Sequence, residues 1–153
     1  MGRSSLDAST RKGGERDVER NSVVVAGRWV QSMIKGLKFA SVPVTDQDRA
    51  LMFYTEKLGF RVLTDQPFDD HQRWIELGLP GQSVSIVLFT PAEHRDRIGT
   101  FQNLTFYAED VVRSVEEMKR KGVEFVQDPQ EADWGTAAVF RDPDGNMFVL
   151  STK

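Results

Sequence analysis

The chain contains no cysteine. That removes disulfides, thiolate nucleophiles and Cys-ligated zinc, and it suits a reducing cytoplasm. Histidine is scarce as well, with two in 153 residues, so a metal site would have to lean on carboxylate or amide oxygen. No block of one charge sign stands out, because 20 basic and 23 acidic side chains are interspersed and leave a net charge of −3. Such a surface offers no footing for nucleic acid or an anionic membrane. Long apolar runs are missing too. The one near the N-terminus, Val23 to Gly27, falls far short of a membrane span or a signal-peptide core and follows acidic residues. The expected location is the cytoplasm.

What is present suffices for one domain, since 39% of the residues are hydrophobic in a chain of ordinary single-domain length. Residues 1–36 differ from the rest. Gly, Ser and charged residues dominate Gly2 to Arg20, which reads as a poorly structured or accessory extension. Val23, Val24, Val25, Trp29, Val30, Met33 and Ile34 then suffice for a short strand or helix that docks on a neighbour.

From residue 37 the periodicity becomes legible. Phe39 to Val44 is a strand-like run, Thr45-Asp46 supplies capping oxygens, and Ala50, Phe53, Tyr54 and Leu58 recur at helical spacing before Gly59. Phe60 to Leu63, Trp74 to Leu77 and Val84 to Phe89 follow as strands, the last two separated by Gly78, Pro80 and Gly81. The plan then repeats. Asn103 to Ala108 is a strand, Asp110 a cap, Val111, Val115 and Met118 one helix face, and Gly122 a stop before strand Val123 to Val126. A hairpin of Thr136 to Phe140 and Asn146 to Leu150 turns through Arg141-Asp142-Pro143-Asp144-Gly145, where proline presets the turn and glycine accepts positive φ. The predicted class is therefore α+β, with two βαβββ modules over about 37–92 and 101–153 inside one domain, 37–153.

Three patterns carry a family resemblance: Val44-Thr45-Asp46 leading to Phe53-Tyr54 and Leu58-Gly59-Phe60, then Lys121-Gly122-Val123-Glu124-Phe125, then Phe140-Arg141-Asp142-Pro143-Asp144-Gly145-Asn146 with Phe148-Val149-Leu150. In this order and spacing the chain resembles the vicinal oxygen chelate superfamily, which includes glyoxalase I, bleomycin-resistance and fosfomycin-resistance proteins and extradiol dioxygenases. The resemblance implies curled mixed sheets forming a half-barrel, with helices on the outer face. It also implies a homodimer in which modules of two chains can complete each cavity.

Enzymes of that superfamily hold a divalent metal that stabilises an oxyanion or enolate. Its four ligand positions fall here on Phe39, Glu76, Asn103 and Val149. Phe39 and Val149 have no lone pair to offer, so one carboxylate and one neutral amide remain, too few for a catalytic zinc, nickel or iron. The expectation is no metal and no other cofactor, and an enzyme is disfavoured because three of the four positions lack strong ligands. His71 and His94 lie in charged stretches that read as solvated loops.

Strand alternation, set in the family frame, turns Phe39, Ser41 and Pro43 toward the cavity and, by the same parity, Asn103, Thr105 and Tyr107. With Trp74, Glu76, Met147 and Val149 these make a mainly apolar cleft with a few polar anchors, or equally a half-barrel filled by its own side chains. Glu76 stands as a candidate general acid or base, as a counter-ion for a cationic ligand, or as a partner in a salt bridge to Arg73 or Arg61. Trp134 is a further candidate wall of the cleft, able to stack a planar or cationic ligand. The leading expectation is a metal-independent protein binding an apolar or cationic small molecule. The alternatives are a metal-dependent glyoxalase-like lyase, epimerase or dioxygenase using Glu76, and a dimerising module without a ligand.

Overall fold

A computed structural model describes residues 22–152. The expectation for Gly2 to Arg20 lies outside the described residues. The chain divides into two compact units, one ending at Leu37 and the other beginning at Lys38. Within the described residues no helix is long and apolar enough to cross a membrane.

The first unit contains a β-hairpin. Strand β1 (Ser22–Val25) pairs antiparallel with β2 (Arg28–Gln31), with Val25 opposite Arg28. The two-residue turn between them, Ala26-Gly27, has positive φ at both positions (50° and 74°). That is the mirror-image turn whose twist matches paired strands. The valines and Trp29 of this hairpin are exposed on both faces.

In the second unit the duplication is explicit. The first module comprises β3 (Phe39–Pro43), α1 (Gln47–Met52), which continues as a π-helical turn (Phe53–Lys57), then β4 (Arg61–Pro67), β5 (Arg73–Gly78) and β6 (Ser85–Phe89). The second comprises β7 (Phe101–Tyr107), α2 (Val111–Arg120), β8 (Glu124–Ala132), β9 (Gly135–Arg141) and β10 (Met147–Ser151). Each forms a four-stranded mixed sheet, ordered β3-β6-β5-β4 and β7-β10-β9-β8. In both, the first and last strands run parallel and the remaining pairs antiparallel. Neither sheet closes into a barrel.

The helices start alike. Asp46 accepts from the Arg49 amide at 3.0 Å and Asp110 from the Arg113 amide at 2.9 Å, each satisfying an orphan donor of the first turn. They end differently. At the end of α2, Gly122 (φ 83°) lets its own amide reach Lys119 O and the Val123 amide reach Met118 O, a Schellman closure. The Asp46 to Gly59 interval is one residue longer than Asp110 to Gly122, and the extra residue is absorbed in the π turn before Gly59 (φ 79°) closes the helix.

Strands β4 and β8 run several residues beyond the predicted Phe60 to Leu63 and Val123 to Val126. Their pairing with β5 and β9 continues past bulges, and both lie at sheet edges. Pro67 and Pro129 can sit in them because an edge strand has one row of amides without a ladder partner.

One core serves both modules. Val42, Tyr54, Ile75 and Leu88 from the first and Val111, Phe140, Phe148 and Leu150 from the second are all buried in it. Aromatic edges cross the boundary, with Phe60 and Phe106 at 5.9 Å and Tyr54 and Phe148 at 6.4 Å between centroids. The turn Asp142 to Asn146 fastens the modules. Asp142 accepts from the Tyr54 hydroxyl at 2.8 Å and from the Asn146 side chain at 2.9 Å. Asn146 donates to Pro43 O and accepts from the Gly99 amide, while Asp144 holds Thr45 and, at 2.9 Å, Arg49.

Candidate functional site

Because β3 and β5 turn Val42, Ile75 and Leu77 into the core, alternation points Phe39, Ser41, Trp74 and Glu76 the other way. Register keeps them together. On that face Phe39 stands beside Ser85, Ser41 beside Val87, Val87 beside Glu76 and Glu76 beside Thr64. The Phe39 ring meets Trp74 edge-on at 5.3 Å and 82°, and Phe68 covers the same indole at 5.8 Å. Phe39, Ser41, Phe68, Trp74, Val87 and Phe89, with Gln72 and Arg73, line a cavity of about 300 Å³. It is open, mainly apolar and of small-molecule size.

Glu76 is half-buried beside this wall, where it accepts from the Ser85 hydroxyl and, at 3.4 Å, from the Trp74 indole nitrogen. Neither Arg73 nor Arg61 bonds it. Arg73 has the parity of Ile75 and so lies on the helix side of the sheet, where it pairs with Asp48 at 2.7 Å and Asp65 at 2.8 Å. Glu76 is thus an anionic group held by neutral donors next to an aromatic surface.

The other expected residues go elsewhere. Asn103, Thr105 and Tyr107 are exposed on β7, and Met147 and Val149 are half-buried on β10, with Val149 opposite Thr105. Each sheet buries its opposite face in the common core, and no residue of the second sheet lines the cavity of the first. Pro43, expected on the cavity side, is buried, and its carbonyl is bonded to Asn146. Trp134 sits 61% exposed in the β8–β9 turn, away from the cavity lining. Phe68, Val87 and Phe89 were not anticipated. Alternation from Ser41's neighbour would have found Val87 and Phe89, whereas Phe68 is at a strand end and has no periodic signal.

Asn103 has a backbone role. The ladder pairs Phe101 with Met147 and next Thr105 with Val149, which leaves a bulge in β7, and Asn103 sits in it at φ 54°. Asparagine tolerates this left-handed geometry better than most residues.

The four expected metal-ligand positions bring few donors together within the chain. Phe39 and Val149 bring hydrocarbon, Asn103 a bulge amide, and Glu76 a carboxylate already bonded to Ser85 and Trp74. Among the described residues no group of three or more His, Cys, Asp and Glu side chains could hold a metal ion. His71 and His94 are exposed. A larger, polar depression of about 450 Å³ runs past Asp48, Asp69, His71 and Arg73, and several of its charged groups are engaged within the chain. Arg73 engages Asp48, and the Asp69 carboxylate accepts from the backbone amides of His71 and Gln72, bonds that draw it below the usual carboxylate range.

Comparison with known proteins agrees with this architecture. The model of the glyoxalase/bleomycin resistance protein/dioxygenase superfamily matches residues 36–150. YetH, an uncharacterised protein of Bacillus subtilis (strain 168), is 36% identical over 118 residues, which are 77% of this chain and 98% of YetH. A crystal structure of a superfamily member from Sphaerobacter thermophilus DSM 20745 superposes with a TM-score of 0.73 at 30% identity, covering 80% of this chain and 100% of that one. TnmS3, an antibiotic binding protein from Streptomyces sp. CB03234, superposes with a TM-score of 0.70 at 33% identity, covering 80% and 98%. With its duplicated sheets, its shared core and these likenesses, the chain belongs to the glyoxalase/bleomycin resistance protein/dioxygenase superfamily.

Proposed function

We propose that this protein binds a planar, apolar or cationic small molecule without a metal, against the aromatic face of the first sheet. The observation that carries the reading is the Phe39, Phe68 and Trp74 wall with Glu76 at its side. Aromatic faces attract apolar planes and cations alike, and a nearby carboxylate adds preference for positive charge. The antibiotic binding of TnmS3, a structural relative, supports the same use of the scaffold.

The cavity is open on one side, and the second sheet presents its own exposed face through Thr105 and Tyr107. A second copy of the chain that lays this face over the first sheet would enclose the ligand and bring Asn103, Thr105, Tyr107, Met147 and Val149 to it. The functional unit in this reading is a homodimer with two equivalent sites. Calorimetric titration with 9-aminoacridine, a planar cation, and 9-anthracenecarboxylate, a planar anion, checks the ligand class. The cation is expected to bind one per chain and the anion at least about tenfold more weakly. Equal binding, or preference for the anion, rejects the reading.

A further inference from the structure

The two modules leave a second cavity on the opposite side of the sheets from Trp74. It has a volume of about 290 Å³, and its floor includes Phe60, Phe106, Phe140 and Met118. The rings are fixed by each other, Phe60 against Phe106 at 5.9 Å and Phe106 against Phe140 at 6.1 Å. The rim is cationic. Lys57, at the end of the π turn, and Lys121, at the end of α2, approach the cavity from different modules. A methyl placed on Gly122 would lie 3.3 Å from the Lys57 ammonium, so that group stands beside the segment that carries Lys121.

Neither lysine takes part in any ion pair among the described residues. Lys57 is half-buried and has only the Phe53 ring under it, at 5.9 Å. The one acid on the rim, Glu117, is bound to Arg113 at 3.1 Å. Two ammonium-bearing side chains, Lys57 half-buried and Lys121 exposed, thus border an aromatic floor with no ion-pair partner among the described residues.

We infer that this cleft is a binding site for an amphipathic carboxylate, with an alkyl or aryl body on Phe60, Phe106 and Phe140 and its carboxylate between Lys57 and Lys121. Helix C-termini also favour lysine, but that role asks for no cavity beneath the ammonium groups. The class of ligand follows from the site, because an apolar pocket of this size takes a short chain and two lysines select negative charge.

Octanoate and octanol, equal in chain length and different in charge, test the assignment. In amide-resolved NMR titrations of the full chain, octanoate is expected to shift Lys57, Phe106 and Met118. Octanol should bind at least about tenfold more weakly. The double variant Lys57→Ala/Lys121→Ala should lose that preference while keeping its thermal midpoint, and Met118→Trp should block both compounds by filling the floor. Absence of octanoate binding, equal affinity for octanol, an unchanged double variant, or shifts centred on Trp74 would overturn the site.

Discussion

At the scale of single residues, Trp74 and Glu76 make separable contributions. Trp74→Ala removes the ring that Phe39 and Phe68 both contact, and affinity for a planar ligand should fall by about tenfold or more in a calorimetric titration. Glu76→Gln keeps an acceptor for Ser85 and the shape of the wall but removes the charge. Its expected effect is loss of preference for cations over neutral isosteres, with neutral ligands bound as before. Asn103 is predicted to matter for stability. Asn103→Val should cost about 1–2 kcal/mol in urea unfolding, because a β-branched residue resists positive φ, and Asn103→Gly should be nearly neutral. The chemistry of Phe39 and Val149 was readable directly from the sequence, since hydrocarbon cannot ligate a metal. The bulge at Asn103 was not, because it depends on which β10 residues pair with β7, a long-range register that local pattern does not encode.

At the scale of elements, the boundaries followed from local signals where local chemistry decides them. Asp46, Asp110, Gly59 and Gly122 mark helix ends by capping and by tolerance of positive φ, and the structure uses all four that way. The π turn follows from the one-residue excess in the first module. What local pattern missed was the length of β4 and β8, whose Pro67 and Pro129 lie in edge strands. The turn at Asp142 to Asn146 was legible as a turn, but not as the clamp between modules, because its partners Pro43, Thr45, Arg49 and Tyr54 lie about a hundred residues away in the chain.

That clamp has a pH signature. Burial pushes the Tyr54 phenol well above its ordinary 10.0, and the neighbouring Asp142 charge pushes the same way. Burial likewise raises the Asp142 carboxyl, against bonds from Asn146 and Tyr54 that pull it down. For a group whose pKa is raised on folding, the native state holds the extra proton. The Tyr54 contribution is therefore fully present below about pH 10 and is lost as pH climbs through the raised value. Tyr54→Phe should cost about 1–2 kcal/mol at neutral pH, from the lost bond to Asp142, and should flatten the fall in stability above pH 10. Denaturant melts at neutral and alkaline pH check both parts, and an alkaline slope unchanged by the substitution would assign it to another group.

At the scale of the whole molecule, the duplication explains what the fold provides. Two modules share a single core, so each sheet turns its remaining face outward, and the expected site residues separate into two sets: Phe39, Ser41, Trp74 and Glu76 on one face, Asn103, Thr105, Tyr107, Met147 and Val149 on the other. The strand parity that defined these sets was legible in the sequence. Which sheet faces which was not, since that is fixed by the common packing of Tyr54, Phe106, Phe140 and Phe148. If a second copy completes the site, sedimentation should show a dimer at micromolar concentration, and a charge placed on the second face, as in Val149→Asp, should weaken dimer and ligand binding together.

The central claim is that the aromatic face binds its ligand without a Lewis acid. The most direct test is the affinity of metal-stripped protein for 9-aminoacridine, measured in chelator and again after adding back zinc, nickel, manganese and iron(II) with elemental quantification. The account predicts the same affinity throughout and less than stoichiometric metal on the protein. Binding that appears only with one metal per chain, and disappears together with that metal in Glu76→Gln, would contradict it.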